Sequence, residues 1–329
     1  QHAGFRSRRM VTSDTALIYT YVLWLIGKRD FGLDLKTLRG VISRWFFMAH
    51  TTGRYTSSPE SAIEADLGRI SGLEPGDGAG FCEELDRIVR SNFTGDYWAI
   101  SLPNRLDTSS ARSPVLYAYW AALNLLDAEL LFSKLRIRDL LDPTVTAPRS
   151  IERHHLFPKA HLASLGVSDR KQINAIANMA FLDWPENATI SATAPLQYWQ
   201  AMTQHLGPER LQKQIYWHAL PIGWEQLDYR TFLDHRRDLI AAVVRDGFNQ
   251  LWESNEPASR PSELTELLML GESQTLEFKS TARWNVRAER ADKKMEHVIG
   301  KTVCGFLNAE GGTLLIGVDD DAAVLGLEN

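Results

Sequence analysis

A proline- and serine-rich stretch, residues 254–262, separates two parts of the chain that have different hydrophobic periods. Before it, apolar residues recur every three to four positions over long segments, which is typical of amphipathic helices. After it, short apolar runs at residues 275–278 and 313–318 flank a helical pattern at residues 293–307. A chain of 329 residues is long enough for about two domains. The sequence therefore predicts a mainly α-helical bundle followed by a smaller α+β unit.

The first part contains several signals for helix ends. Asp34 precedes one helical segment, and Ser58 stands before Pro59 at the start of another. The last helical stretch, residues 208–247, is predicted to end at Gly247. We expect the first helix to bury a face that comprises Leu17, Ile18, Tyr21, Val22, Leu25 and Ile26.

Composition excludes several classes of protein. Apolar residues make up 44% of the chain, with 10 Trp, 13 Phe and 9 Tyr, so the chain is not of the disordered class. The net charge of −5 excludes binding of nucleic acid by bulk positive charge, but it does not exclude a local basic groove. Cys82 and Cys304 are too few for a disulfide framework or a paired-cysteine zinc site, and a reducing compartment fits them best.

No segment has the length of a membrane span. The most apolar run, residues 16–26, is far shorter than the stretch of about 20 residues that a bilayer requires. No signal peptide is recognisable, which favours a cytoplasmic location without membrane contact. The chain begins with Gln1 rather than Met and stops at Asn329 just after an apparent strand, so we expect it to be a piece of a longer protein.

The densest group of polar residues lies between residues 151 and 187. His154 and His155 are adjacent, and on a strand they would face opposite sides, so that one could bind a metal while the other faces a substrate. Pro158 follows, and then Asn178 and Asn187, which are nine positions apart. A neutral imidazole near its unperturbed pKa of about 6.5 can accept a proton from water at neutral pH. The alternative is a chance pair of histidines that only pack within a helical protein.

This pattern resembles the HNH nuclease motif, also called the ββα-metal finger. The resemblance implies that His154 and Asn187 bind one divalent metal ion. It also implies that His155 is the general base and that Asn178 braces the loop that holds it. The first metal ligand of the family is more often Asp, and imidazole suits Zn, Mn or Ni better than Mg, so Mg, Mn, Ni and Zn all stay open. The remaining candidates lack ligand spacing and are expected to be structural or surface histidines: His161, His205, His218 and His235.

Basic residues cluster around this motif. Over residues 149–171 positive charges outnumber negative charges by three. Positive side chains in a groove neutralise phosphates and provide most of the affinity for nucleic acid. The candidate phosphate contacts are Arg153, Lys159, Arg170 and Lys171, and the alternative for each is a solvated basic surface.

A wider set of residues resembles the C-terminal half of GmrSD-type restriction proteins. The set includes Gly53-Arg54-Tyr55, Ser58-Pro59-Glu60, Tyr198-Trp199, Phe232-Leu233 and Arg236-Arg237. The resemblance covers residues 1 to about 247. It implies a helical domain over residues 1–148, the HNH motif over 149–206 and packing helices over 207–250. In that family Arg54 and Glu60 could be functional, whereas a buried ion pair or a helix cap is the simpler explanation.

After the linker, residues 251–262, three motifs occur together: Gly271-Glu272, Glu277-Phe278-Lys279 and Ile316-Gly317-Val318-Asp319. They resemble the first half of a Schlafen-type AlbA-like domain, here residues 263–329. The resemblance implies either a metal-dependent nuclease site formed by Glu272, Glu277 and Asp319 or a module that only binds nucleic acid, with Lys279 as a contact. Carboxylates beside a Lys suit hard cations and a phosphate. A third explanation is a surface ion pair, because Glu277 and Lys279 share one face of a strand.

Together these resemblances predict a metal-dependent DNA endonuclease, an enzyme of a bacterial restriction or anti-phage system, with DNA as its partner. One alternative is a nucleic-acid-binding regulatory protein with a weak or inactive HNH motif. The other is an RNA-cleaving effector that uses the acidic residues of the AlbA-like module, which makes RNA a second expected partner. The sequence leaves open whether the protein forms a homo-oligomer.

Overall fold

In a computed structural model the chain divides into two compact units, residues 1–256 and 257–329. The division lies within the predicted linker, and the prediction of a mainly helical chain with a smaller mixed unit is confirmed. The borders predicted at residues 148/149 and 206/207 lie inside the first unit and stay predictions. The structure describes residues 2–141, 152–182, 190, 193–253, 268, 271–273, 276–282, 284–285, 290–291, 293–307, 312–319 and 322–326.

The first unit is built mostly from helices, with one pair of short strands. Its elements are α1 (Asp14–Arg29), α2 (Leu35–Thr52), α3 (Pro59–Ser71), α4 (Gly78–Asn92), α5 (Leu102–Arg105), α6 (Pro114–Leu125), α7 (Ile137–Leu141), β1 (Glu152–His155), α8 (Lys159–Ser164), α9 (Arg170–Ile173), β2 (Met179–Leu182), α10 (Pro195–Thr203), α11 (Pro208–Trp217) and α12 (Tyr229–Glu253). None of the helices that the structure describes is both long and apolar enough to cross a membrane.

Local chemistry accounts for both ends of α2 and for part of the start of α3. The Asp34 carboxylate accepts hydrogen bonds from two backbone N–H groups in the first turn of α2, as its position predicts. Gly53 ends α2 with φ +70°, a conformation that favours glycine because a side chain is strained there. The Ser58 side chain makes no capping hydrogen bond to α3, so only the Pro59 part of that predicted start is confirmed.

Helix α12 continues past its predicted end. It runs through Gly247 to Glu253, so the predicted end at Gly247 is wrong. A Cβ atom at position 247 would lie 2.5 Å from the Cβ atom of Ala122. The glycine therefore serves the close approach of α12 to α6, and not the end of a helix.

Helix α1 buries a different face from the one its apolar residues predict. Ile18 and Tyr21 are each 61% exposed, and Leu17 and Leu25 are also exposed. The buried positions are instead the smaller Ala16, Thr20 and Gly27 together with Leu23. A Cβ atom at Gly27 would lie within 3 Å of side-chain atoms of Leu38 and Phe81. Close packing therefore selects the small-residue face, although the other face is more apolar.

The two strands of the first unit lie at the side of its aromatic core. β1 and β2 pair in antiparallel fashion, with His154 opposite Ala180 and His155 opposite Met179. Phe157, which follows β1, packs against the rings of Trp224, Tyr229 and Phe232. This core fixes the position of the segment that carries the histidine pair.

In the second unit a helix connects two parallel strands. β3 (Leu276–Lys279) pairs with β6 (Thr313–Ile316), and α13 (Lys293–Leu307) lies between them in sequence. β4 (Trp284–Asn285) and β5 (Arg290–Ala291) form a separate antiparallel pair. The strand–helix–strand order matches the prediction. Leu276, Phe278 and Val318 form the buried apolar cluster of this unit's described part.

Candidate active site

The pairing of β1 with β2 brings the histidine pair beside the central asparagine. His155 ends β1, and Asn178 immediately precedes β2. The histidines occupy successive strand positions, and their side chains therefore point to opposite faces. His154 is 7% exposed, whereas His155 is half-buried. Of the two imidazoles, His155 is the more open to a substrate.

Asn178 joins the loop after β1 to the segment before β2. Its Oδ1 accepts a hydrogen bond from the Phe157 N–H (2.8 Å), and its Nδ2 donates to the carbonyls of Phe157 (3.2 Å) and Ile173 (3.0 Å). The Leu156 N–H donates to the Asn178 carbonyl at 2.8 Å. The residue is fully buried, so each of these bonds satisfies a group that water does not reach. One side chain thus fixes the backbone two residues beyond His155.

Two side chains from later helices hold the same backbone from outside. The Tyr198 hydroxyl donates to the Leu156 carbonyl at 2.6 Å. Arg236, on α12, donates to the carbonyls of Ala177 (2.6 Å) and Met179 (2.8 Å), which are the two neighbours of Asn178. The loop and the start of β2 are therefore attached to α10 and α12 by hydrogen bonds.

The Arg236 guanidinium is a buried cation that has carbonyl acceptors. It is fully buried, and it also donates to the His218 carbonyl. Burial lowers the pKa of Arg236, and it raises the pKa of the nearby Tyr119 to about 12. Carbonyl acceptors offset part of the cost of removing this charge from water. The residue connects α12 to the candidate site and has no exposure to a substrate.

The His155 ring contacts one side chain of the connection between the strands. Its Nε2 atom lies 3.0 Å from Oδ1 of Asn174, the residue that follows α9. Nδ2 of Asn174 donates to the Arg170 carbonyl at 2.9 Å. The candidate base is therefore held on one side by α9.

Only one of the two predicted metal ligands lies within the described residues. His154 is placed on β1, whereas Asn187 lies outside them. Within the described ranges, no three His, Cys, Asp or Glu side chains form a group that could hold a metal ion. Of the two predicted ligands, the structure therefore describes only the buried imidazole of His154. That donor is compatible with Zn, Mn or Ni and needs the Asn187 oxygen or another group to complete a site.

The predicted phosphate contacts precede and follow the histidine pair in sequence. Lys159 begins α8, and Arg170 and Lys171 begin α9, all three with exposed side chains. Arg153 is on β1, where its backbone pairs with Phe181, and its side chain lies outside the described atoms. The exposed cations therefore lie on the two short helices that connect β1 to β2.

In the second unit, three of the four predicted charged residues come together. The Lys279 Nζ atom is 2.6 Å from a Glu277 carboxylate oxygen and 3.8 Å from a Glu272 carboxylate oxygen. Glu272 also accepts a hydrogen bond from the Phe278 N–H at 2.7 Å. The Glu277–Lys279 ion pair, one of the three explanations drawn from the sequence, is thus present.

Asp319 follows β6 and participates in a local turn. Its carboxylate accepts a hydrogen bond from the Ala323 N–H at 2.8 Å. Glu272, Glu277 and Asp319 do not form a three-residue metal group in the part of the chain that the structure describes. The predicted acidic metal site is therefore not assembled there. Glu272 accepts from the Phe278 N–H, Glu277 pairs with Lys279, and Asp319 accepts from the Ala323 N–H in its own turn.

Arg54 and Glu60, which could have been functional, do not pair with each other. Arg54 donates to Asp66, with Nε 2.9 Å from Oδ2, and the Tyr55 hydroxyl donates to the same oxygen at 2.8 Å. Asp66 is fully buried, and Glu60 is exposed at the start of α3. The buried ion pair is the explanation that the structure supports for Arg54.

The histidines without ligand spacing occupy structural or surface positions, as predicted. His205 and His235 are exposed, and His161 is half-buried on α8. His218 is buried, and its Nε2 lies 2.9 Å from the Glu129 carbonyl. Burial lowers the pKa of His218 to about 3, so its ring is neutral.

Sequence reasoning missed three residues that support the site: Asn174, Tyr198 and Arg236. Tyr198 and Arg236 belong only to the wider resemblance, and Asn174 belongs to none of the motifs. Their hydrogen bonds join residues 18 to 59 positions apart, except for the local bond of Asn174 to Arg170. No short spacing rule detects such pairs.

Comparison with known proteins identifies one region of the chain. Residues 272–329 match the family model for Schlafen, AlbA_2. This match suggests a nucleic-acid-related function. It agrees with the resemblance drawn from the motifs of the second unit and covers less than half of the chain. No curated protein and no solved structure matches the chain significantly.

Proposed function

We propose that the protein is a metal-dependent endonuclease of the HNH type that hydrolyses DNA phosphodiester bonds. The observation that carries the proposal is the double hydrogen bond of Asn178 to Phe157. It connects an asparagine before the second strand to the loop after the histidine pair, across 21 residues of sequence. Such a connection is what a general base on this loop requires, because proton transfer depends on a fixed position.

His155 would accept the proton of the attacking water. It is half-buried, so it is open on one side to solvent and is held on another by Asn174. His154 is more deeply buried on the opposite face of β1 and is suited to a ligand role rather than to contact with substrate.

A divalent cation held by His154 and Asn187 would stabilise the negative charge that develops on the scissile phosphate. The cation remains part of the proposal, and its identity is open among Mg, Mn, Ni and Zn. The side chains of this chain would supply the proton acceptor, the loop geometry and the phosphate contacts.

The exposed cations on α8 and α9 would bind the DNA backbone. Lys159, Arg170 and Lys171 lie on the connection that also carries Asn174, so phosphates bound there would lie near His155. Each phosphate contact releases counterions, and the affinity should therefore fall steeply with salt concentration.

Nicking of supercoiled plasmid, with Mg, Mn, Ni or Zn supplied separately, tests the proposal. We expect at least one metal to support nicking by the unaltered chain, and His155→Ala to reduce the rate by about 100-fold or more, because general-base catalysis contributes about 100-fold to 10,000-fold. His205→Ala is the matched control, since His205 is an exposed histidine outside the site. Thermal unfolding of both variants shows whether they are folded. Nicking by His155→Ala at the rate of the unaltered chain would contradict the proposal.

The family match favours a second candidate function, namely regulation by nucleic-acid binding through residues 272–329. In this function Lys279 would contact phosphate, after release from Glu277, and the first unit would lack catalysis. Binding of labelled DNA and RNA by the His155→Ala variant, with and without Lys279→Met, tests it. Unchanged binding by Lys279→Met would argue against this contact. RNA cleavage that survives His155→Ala and is lost in Glu277→Gln would favour the RNA-cleaving alternative.

A further inference from the structure

Helix α1 presents an apolar stripe to solvent. The stripe consists of four side chains that are 42–61% exposed: Leu17, Ile18, Tyr21 and Leu25. Neighbours three or four positions apart lie on one face of a helix, so these side chains are contiguous. The opposite face of α1, which includes Leu23, is the buried one. Single exposed apolar residues are common, whereas a contiguous group of this kind is typical of a surface that binds another molecule.

Charges of opposite sign stand at the two ends of the stripe. Asp14 is the first residue of α1 and Lys28 is in its last turn, and both are exposed. With 3.6 residues per turn, both lie within about 20° of Tyr21 around the helix axis. Asp14 also contacts Arg8, but the two side chains are 72% and 60% exposed, so the carboxylate is open to a second cation. The apolar stripe therefore continues into an anion at one end and a cation at the other.

The order of these residues is symmetric about Tyr21. Asp14 and Lys28 each stand seven positions from it, and Leu17 and Leu25 each stand four positions from it. In a contact with two-fold symmetry, each residue of one copy meets the symmetry-related set of the other. A second, antiparallel α1 on the same face would thus bring Asp14 opposite Lys28 and Leu17 opposite Leu25. Tyr21 would then lie on the two-fold axis.

The end charges favour this antiparallel arrangement. A parallel pair of helices would place Asp14 opposite Asp14 and Lys28 opposite Lys28, and like charges that face each other oppose association. The antiparallel pair has an attractive contact at both ends instead. A membrane surface fits the stripe less well, because helices that lie on membranes are rich in cations beside their apolar face, whereas here Asp14 balances Lys28.

We propose that the exposed face of α1 is a self-association surface, on which a second copy of this chain binds through an antiparallel α1–α1 contact with Tyr21 at the two-fold axis. The inference does not depend on the proposed nuclease activity. A pair of 16-residue helices is a small contact compared with the about 1,200–2,000 Å² that specific interfaces bury. The dimer should therefore be weak and should dissociate on dilution.

Analytical ultracentrifugation of the full chain from about 1 μM to about 100 μM tests the association, and we expect monomer to give way to dimer as the concentration rises. Tyr21→Glu places two like charges at the axis and should raise the Kd of the dimer at least about 10-fold. Ile222→Glu is the matched control, since Ile222 is an exposed apolar residue outside α1, and it should leave Kd unchanged. Monomer at every concentration would overturn the proposal, as would the same Kd for Tyr21→Glu and the unaltered chain.

A charge exchange tests the antiparallel arrangement. Asp14→Lys and Lys28→Asp each turn two attractive contacts of the dimer into repulsive ones and should each raise Kd about 10-fold. The double variant restores opposite charges and should recover most of the affinity. Positions 14 and 28 of one helix are about 21 Å apart, so recovery requires contact between two copies. Circular dichroism shows whether each variant is folded, and a folded double variant that stays as weak as the single ones would contradict the arrangement.

Cross-linking of the unaltered chain identifies the contact directly. A carbodiimide condenses a carboxylate with an amine that touches it, and the water that is lost converts the reagent to a urea. We expect an amide bond between Asp14 and Lys28 that forms at dimer concentrations and is absent in Tyr21→Glu. A dimer that is cross-linked only through other residues would contradict the proposal. Sedimentation with vesicles of anionic phospholipid should leave the chain in solution, and vesicle binding that is lost in Tyr21→Glu would assign the stripe to a membrane instead.

Discussion

The strand pairs of the two units hold their charged and polar residues in different ways. At β1 and β2 the decisive hydrogen bonds connect distant parts of the chain, with separations of 21 residues for Asn178 and Phe157, 42 for Tyr198 and Leu156 and 59 for Arg236 and Ala177. At β3 and β6 the hydrogen bond from Lys279 to Glu277 spans two residues, and the one from Ala323 to Asp319 spans four. The hydrogen bonds at the first site therefore depend on the tertiary fold, whereas these two bonds at the second site form within short segments.

This difference changes how each region should respond to substitution. A buried donor that serves several carbonyls leaves all of them unsatisfied when it is removed. An ion pair that is partly open to water loses little when it is broken, since water replaces the partner. Substitutions at the first site should therefore affect folding and function together, and substitutions at the second should affect function more than folding.

The largest expected effect follows from removing Arg236. Arg236→Met would leave the carbonyls of Ala177, Met179 and His218 without their donor, which should lower the free energy of unfolding by about 3 kcal/mol. Arg230→Met is the matched control, because Arg230 is an exposed arginine on the same helix and its loss should cost less than about 0.5 kcal/mol. Urea unfolding measures both changes. Equal stability of the two variants would show that the distant hydrogen bonds of the first unit are not essential.

An intermediate effect is expected from acid, through the buried His50. Burial lowers the pKa of His50 to about 4, and the Thr12 N–H donates to its Nε2 atom at 3.1 Å. The folded-state pKa is below the unfolded value of about 6.5, so the unfolded chain binds more protons and stability is lost as the pH falls from about 6.5 to about 4. Between pH 7 and pH 5 this residue should lower the free energy of unfolding of the first unit by about 2 kcal/mol.

Hydrogen exchange followed by mass spectrometry at both pH values separates the two units. His50→Gln should reduce the pH dependence of protection in the first unit, whereas His205→Gln, at an exposed histidine, should leave it unchanged. In the second unit the described histidine, His297, is exposed. Protonation of a buried histidine should therefore change the hydrogen-exchange protection of that unit little between the two pH values. A pH dependence that survives in His50→Gln would assign the effect to other groups, such as the buried His218.

The smallest effect is expected at the ion pair of the second unit. Glu277 and Lys279 have side chains that are 33% and 19% exposed, and their coupling energy in a double-mutant cycle of Glu277→Gln and Lys279→Met should be below about 1 kcal/mol. Chemical unfolding of the four proteins provides the cycle. A coupling comparable to the loss in Arg236→Met would remove the proposed contrast between the two regions.

Much of the secondary structure was accessible from local patterns. The start of α2 at Asp34, the proline in the first turn of α3 and the strand–helix–strand order of the second unit each depend on a few neighbouring residues, and each is confirmed. Predictions failed where another element decided the outcome. At Gly247 the close packing of Ala122 leaves no room for a side chain, so this glycine lies inside α12 and does not end it. At Gly27 a Cβ atom would lie within 3 Å of Leu38 and Phe81, so α1 turns its small residues inward.

The sequence alone determined the helical and mixed parts of the chain, the linker between them, and the order His154, His155 and Asn178 that led to a nuclease hypothesis. These features are local or follow from the sequence order of residue types. Only the tertiary structure placed Asn174 on the His155 ring and attached both neighbours of Asn178 to Arg236. A hydrogen bond requires a specific distance and direction between two atoms, and for residues far apart in the chain the packing of the intervening elements decides both.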